Sequence, residues 1–383
     1  MKHFFVTISL CLLACCLCCC KGKKTNNASE DMGSFQSSIQ LMYAQGFKVR
    51  TLEDGVRLVD IQDPQAEEST SYHFALVPKD LKSQSSTIPS EYAIVKTPVD
   101  DAICMTLLQL ADFIVLEAID KVSGITSIRN LFNQKILEKV KAGKIMEIGT
   151  EGNFDAEIVM AANPEVIFIS PFKRGGYEAI KQTGITLVPH LGYKELHPLG
   201  QAEWIKFIGM FIGKDEEANN LFNGIVSRYE NIKTLANQAA NRPKVLSGEM
   251  HGGNWYAVGG KSFLAQMFAD AGADYVLKED PSSGGVNIEF EKIYAMAADA
   301  DYWRILNSYP GNFSYEALLS SEPRNELFKA YRNHQVVYCN MKQSPYYEKA
   351  PVEPDVVLSD LVHVFHPELL PSDYQPTYYN LLK

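Results

Sequence analysis

The chain has 383 residues, 46% of them apolar and 21% charged, with 46 acidic against 36 basic side chains and a formal charge of −10. That length exceeds what one hydrophobic core fills, so two packed units of about 100–200 residues each are expected. The acidic balance, with no dense Lys/Arg stripe, argues against nucleic acid as a partner, and no interior stretch is apolar for long enough to span a bilayer.

In chain order, Lys2 and His3 form a short basic start, and residues 4–13 form an apolar run with the layout of a targeting segment. Leu12-Leu13-Ala14-Cys15 resembles a lipobox, which makes residues 1–14 a lipoprotein signal peptide, Cys15 the lipidated residue and residues 15–39 the anchor and polar tether. Residues 40–89 carry short alternating runs separated by turn signals such as Glu53-Asp54-Gly55, the pattern of a small β-rich extension followed by a linker. From residue 90 to 194, strand and helix alternate: strand 92–95, helix 101–118, strand 144–148, helix 155–162, strand 165–170, helix 176–183 and strand 185–189. A long helical stretch within residues 195–242 follows, interrupted only near Gly213-Lys214-Asp215. Alternation then resumes over residues 243–383, with strands at 244–247, 301–306 and 335–339 and helices at 262–271, 290–298, 324–331 and 354–365. The fold class expected is therefore α/β: two lobes with parallel sheets joined by one long rigid helix, plus the β-rich extension. The segments 154–162 and 290–298 align without gaps and each precedes an apolar strand, as an internal duplication would.

Six of the eight cysteines lie between Cys11 and Cys20, so the body has no disulfide framework. Cys104 and Cys339 read as two separate buried thiols, with a pairing between them left open. No G-x-S-x-G elbow, P-loop, H-E-x-x-H or strand-following G-x-G-x-x-G is present, which argues against an enzyme. His363 and His366 share a helical face, but no third ligand accompanies them, and His366 before Pro367 suits the closing of a helix end. Ligands of open α/β sheets bind beyond the strand carboxyl ends. Residues there make up the candidate cleft: Thr97, Phe154, Phe172, Arg174, His190 and Tyr193 in the first lobe, and His251, Trp255, Tyr256, Tyr309 and Lys342 in the second. Aromatics interleaved with cations suit a large, flat or anionic ligand, with Trp255 as a stacking face and Arg174 or Lys342 as charge partners. A metal-dependent envelope hydrolase using His190, His251 and Glu249, and a surface lipoprotein that binds another protein, are the two competing readings.

Two stretches carry a family resemblance: residues 157–169, a Glu-containing helix followed by Asn-Pro-Glu and an apolar strand, and Trp255-Tyr-Ala-Val-Gly-Gly-Lys-Ser-Phe-Leu with its continuation to Asp274. They resemble the metal-chelate class of periplasmic binding proteins, which carry ferric siderophores, haem and cobalamin to ABC importers, over about residues 92–365. The resemblance implies a monomer without catalytic residues, resident metal or cofactor, lipid-anchored on the periplasmic side of a bacterial envelope. Its ligand would be a metal chelate, a ferric siderophore first, cobalamin next and haem last, with His190, His251 or Tyr256 as axial ligands in the haem case. Its protein partners would be the permease subunits, met through an exposed carboxylate on each lobe. Glu157 occupies the family's position in the first lobe; in the second, gapless alignment sets Ile293 opposite it, and Glu291 is chosen over Glu289.

Overall fold

The computed structural model describes residues 39–66, 70–83, 86–129, 131–150, 153–171 and 177–383. Cys15, Phe172, Lys173 and Arg174 lie outside them.

The N-terminal sheet runs β1 (Phe47–Thr51), β2 (Arg57–Ile61), β3 (Tyr72–Pro78) and β4 (Ala93–Thr97) in spatial order, antiparallel except for the β3–β4 pair. Gly55, at φ 81, makes the turn that Glu53-Asp54-Gly55 signals. Alternation in β1 sends Phe47 and Val49 inward. The strand at 92–95 was expected in the first lobe; it pairs with β3 instead and extends this sheet to Thr97. Its pattern, a single buried residue between exposed ones with Ile94 55% exposed, is that of an edge strand.

The first lobe is a wholly parallel five-stranded sheet of order β11-β10-β5-β6-β7. Its central strand β5 (Ala102–Cys104) lies within the segment read as helix, and α1 (Leu107–Val115) begins only after it. A three-residue buried strand running into an apolar helix shows no change of period, although the Thr106/Gln109 capping box marks the boundary. β6 (Val122–Ile125) and α2 (Gln134–Lys141) precede β7 (Met146–Glu147) and a small hairpin of β8 (Gly149–Thr150) and β9 (Asn153–Phe154). Then come α3 (Ala156–Ala161), β10 (Val166–Ile169), α4 (Tyr177–Lys181) and β11 (Thr186–Pro189), each within a residue or two of its expected place.

The connection between lobes is two helices, α5 (Pro198–Ile212) and α6 (Asp215–Ala236), packed on each other. They part at Gly213, at φ 74, a conformation costly for other residues, so the long interlobe stretch is a pair of helices broken where the interruption was expected.

In the second lobe β12 (Lys244–Ser247) leads into β13 (Glu249–His251) and β14 (Asn254–Val258), then α7 (Phe263–Asp270), β15 (Asp274–Tyr275), β16 (Gly285–Ile288), α8 (Phe290–Ala297) and β17 (Tyr302–Asn307). α9 (Tyr315–Ser321), α10 (Lys329–Arg332), β18 (Val336–Asn340), α11 (Tyr346–Lys349), α12 (Pro354–Phe365) and β19 (Asn380–Leu381) complete it. The main sheet has order β15-β12-β17-β18-β19, parallel up to β18, while β13, β14 and β16 form a separate antiparallel sheet. Cys104 and Cys339 are both buried and free. His366 hydrogen-bonds the Gly272 carbonyl through Nε2 at 3.1 Å, and the ring of His363 packs on Tyr374.

Segment 42–46 is latched to the bridge. Glu203 of α5 accepts the backbone N–H groups of Met42, Tyr43 and Ala44 and pairs with Lys206 at 2.7 Å; Glu195 accepts those of Gln45 and Gly46 and the Trp204 indole. Both carboxylates are buried. Truncation leaves Lys206 and three N–H groups uncompensated, so Glu203→Ala costs about 3–5 kcal/mol in urea unfolding. Burial pushes the Glu195 carboxyl up, against the pull of its N–H donors. The folded chain therefore holds that proton at pH values where the unfolded chain has lost it, and stability falls as pH rises from the ordinary glutamate range to the raised one, then levels. Glu195→Gln removes that slope from unfolding measured across pH 4–8.

Candidate functional site

A cavity of about 660 Å³ lies between the lobes. The first lobe supplies its wall from strand carboxyl ends: Met105 and Thr106 after β5, Thr126, Ser127 and Arg129 after β6, and Ser170 after β10, with Thr150 and Phe154 from the small hairpin. Gln109 holds this wall in place, since its side-chain oxygen accepts the Thr106 N–H at 2.8 Å and its amide donates to Ser170 Oγ at 2.7 Å. Tyr177 donates to the Ser170 carbonyl at 3.1 Å and stacks on Phe154 at 5.9 Å. α5 contributes Pro198 and Gln201, and the second lobe closes the far side with Phe263 and Met267 of α7, Tyr346 and Tyr347 of α11, and Pro354 and Val357 of α12.

The lining is apolar and hydroxyl-rich. Among the described residues Arg129 is its one charged side chain, and no group of three or more His, Cys, Asp or Glu side chains is placed to hold a metal. Burial pushes the phenol of Tyr346 up, which keeps it a neutral hydrogen-bonding group at physiological pH.

Two of the expected cleft residues, Phe154 and Tyr193, line the cavity. Thr97 ends β4 in the N-terminal sheet. His190 is buried, its Nε2 3.0 Å from Asp112 Oδ2 and its ring 4.6 Å from that of Trp204. It is a core residue, since an imidazole next to a carboxylate and an indole is satisfied without a ligand. Trp255 is fully buried: its indole donates to the Ser247 carbonyl at 3.0 Å and it packs on Trp303 and Phe328, so no stacking face is open. Alternation along β14 turns Tyr256 outward instead. His251, Tyr256, Tyr309 and Lys342 are exposed in the second lobe and are not among the residues that line the cavity. Glu249 is held by Asn307 at 3.0 Å, and it forms no metal cluster with His190 and His251.

Sequence reasoning stopped at Lys342 and so missed Tyr346 and Tyr347, although Ser344-Pro345 two residues further on marks a turn after a strand end. Arg129, Phe263 and Met267 were missed as well; the last two read as core positions of an amphipathic helix. Glu348 follows the two tyrosines and reaches the other lobe, where its buried carboxylate accepts the backbone N–H groups of Phe132 and, at 3.4 Å, Asn133. α11 also packs on α1 of the first lobe. A hydrogen bond to a charged group is worth about 1.5–3 kcal/mol. In Glu348→Ala the Phe132 amide therefore exchanges its hydrogen roughly 10–100-fold faster, read residue by residue by NMR.

Glu157 and Glu291 are both exposed, each in the first turn of its helix. Counted from the N-caps Asp155 and Glu289, both are the second helical residue, a correspondence that gapless alignment concealed. Arg324 pairs with Glu291 at 3.3 Å.

Residues 103–342 match the periplasmic binding protein family. An uncharacterised lipoprotein of Methanocaldococcus jannaschii is 28% identical over 315 residues, which are 75% of this chain and 72% of the relative; a second from the same organism is 26% identical over 65% and 64%. Among solved structures, a periplasmic haem-binding protein of Pseudomonas aeruginosa superposes with a TM-score of 0.56 at 17% identity, covering 74% of this chain and 98% of that one. An Fe3+-hydroxamate transport protein of Saccharomonospora viridis gives 0.55 at 15% identity, over 70% and 94%. At these identities the superpositions establish the shared two-lobe fold.

Proposed function

The chain belongs to the periplasmic binding protein family, and on that premise we propose that it is the lipid-anchored solute-binding component of an ABC importer, capturing a metal chelate between its lobes. The observation that supports this reading best is the interlobe cavity: it is of a size suited to a small-molecule ligand, mostly apolar, with a few hydroxyls and one cation converging on it. On this reading a metal cargo arrives with its chelator already attached. Iron, haem and hydroxamate binding in the solved neighbours points the same way, and the lipoprotein relatives favour the anchor at Cys15. A ferric siderophore ranks first as cargo, cobalamin second and haem third. No cofactor of its own is needed, and the protein acts as a monomer on the periplasmic side of the envelope.

Because the lobes already touch through Glu348 and α11, the cavity is largely preformed and little ordering opposes binding. The detergent-solubilised full chain is therefore expected to bind one equivalent of a ferric siderophore, cyanocobalamin or haemin in a fluorescence and absorbance titration, without turnover. Failure to retain any of the three removes this function. Glu157→Arg together with Glu291→Arg is expected to leave the dissociation constant within about twofold while abolishing uptake in cells carrying the importer, since reversing rim charges blocks a partner without touching the cleft.

A further inference from the structure

α11 belongs by sequence to the second lobe, between β18 and α12, yet it packs on α1 of the first. Together with the short turn that follows it, residues 350–352, it forms a strap along one wall of the interlobe cavity, which it lines through Tyr346, Tyr347, Ala350 and Pro351. The strap is held from two directions. On its own side the Tyr346 ring meets those of Tyr378 and Tyr379 edge-on, at 5.5 and 5.9 Å, and the turn packs on α12 and on α5 of the bridge. Towards the first lobe it packs on α1, and among the described residues its hydrogen bonds in that direction are those of Glu348. That buried carboxylate accepts the N–H groups of Phe132 and Asn133, where α2 begins, and both its charge and the helix dipole favour the contact.

Glu348 is not among the residues that line the cavity, so it acts on a cargo only by holding the strap. A ligand enclosed by walls from both lobes enters and leaves when one of those walls gives way. The Glu348 bonds join one part of the protein to another and include no cargo atom. A contact worth the same with and without ligand cannot change the affinity. It raises the barrier to opening, and it does so equally for entry and for exit.

We infer that Glu348 is a positioning residue that keeps the α11 strap closed over the cavity, and thereby sets how fast cargo exchanges without setting how tightly it binds. The inference rests on the importer reading and adds to it a gate on exchange. α11 and Glu348 lie beyond residue 342, where the family match ends, so the gate is carried by a segment outside that match.

The test is stopped-flow binding and release on the detergent-solubilised full chain, with a ferric tris-hydroxamate, cyanocobalamin and haemin as probes. Wild type is compared with Glu348→Ala, which removes the acceptor, and Glu348→Gln, which keeps a neutral one. For each probe that wild type retains, association and dissociation are both expected to be about 10–100-fold faster in Glu348→Ala, the worth of a hydrogen bond to a charged group, with Kd within about threefold. In Glu348→Gln both are expected to be about 3–10-fold faster, because a neutral hydrogen bond holds about half as strongly. A melting curve shows whether each variant is folded, and if Glu348→Ala is not, Glu348→Gln decides. Rates equal to wild type, or a change in only one of the two rates, overturn the inference and leave the importer reading standing. Retention of none of the three probes by wild type overturns both.

Discussion

A helix buried on every side is the constraint on which the molecule depends. Nearly every residue of α5 is inaccessible, including the charged Glu203 and Lys206, and apolar side chains surround its axis where a surface helix would show a polar face. One side meets Phe47 of the N-terminal sheet, another meets Phe168 and His190 of the first lobe, and others pack on α6, α7 and α12. Such a helix cannot exist alone in water, so the two lobes and the N-terminal sheet fold around it as one body. Its Pro198 and Gln201 also reach the cavity, which places the proposed binding site against this buried helix.

That arrangement explains the asymmetry of the site. The first lobe offers the carboxyl ends of parallel strands, where backbone groups and short hydroxyl side chains converge, as open α/β sheets usually do. The second lobe offers helix faces, because the hairpin of β13 and β14 and the loop after β17 turn their aromatics elsewhere, and α11 crosses to the first lobe in their place. Tyr346 and Tyr347 therefore reach the cavity from a short helix pinned at its next residue, Glu348, across the lobe boundary.

The sequence conveyed the order of elements well and their partners poorly. The helix at 354–365 and the strands near 166–169, 244–247 and 336–340 are legible because period and breaker residues agree there. β4 looks the same whether it joins the extension or the lobe, since pairing is a non-local property. β5 hides in an apolar run that continues into α1. At the site, Phe154 and Tyr193 were found by their position after strands, whereas Trp255 and His190 were misplaced because an aromatic after a strand is as readily a core residue as a ligand contact. Only long-range partners, Trp303 and Phe328 for the one and Asp112 for the other, decide the matter, and no local pattern encodes them.

The most direct test of the account is a crystal structure of the chain grown with a ferric chelate, with data collected at the iron absorption edge. The account predicts one anomalous peak inside the interlobe cavity, between the Phe154 and Tyr193 wall and the α11 tyrosines, with no protein atom in the iron's first coordination shell. An iron peak elsewhere, or iron stripped from its chelator and bound by protein side chains, would contradict it.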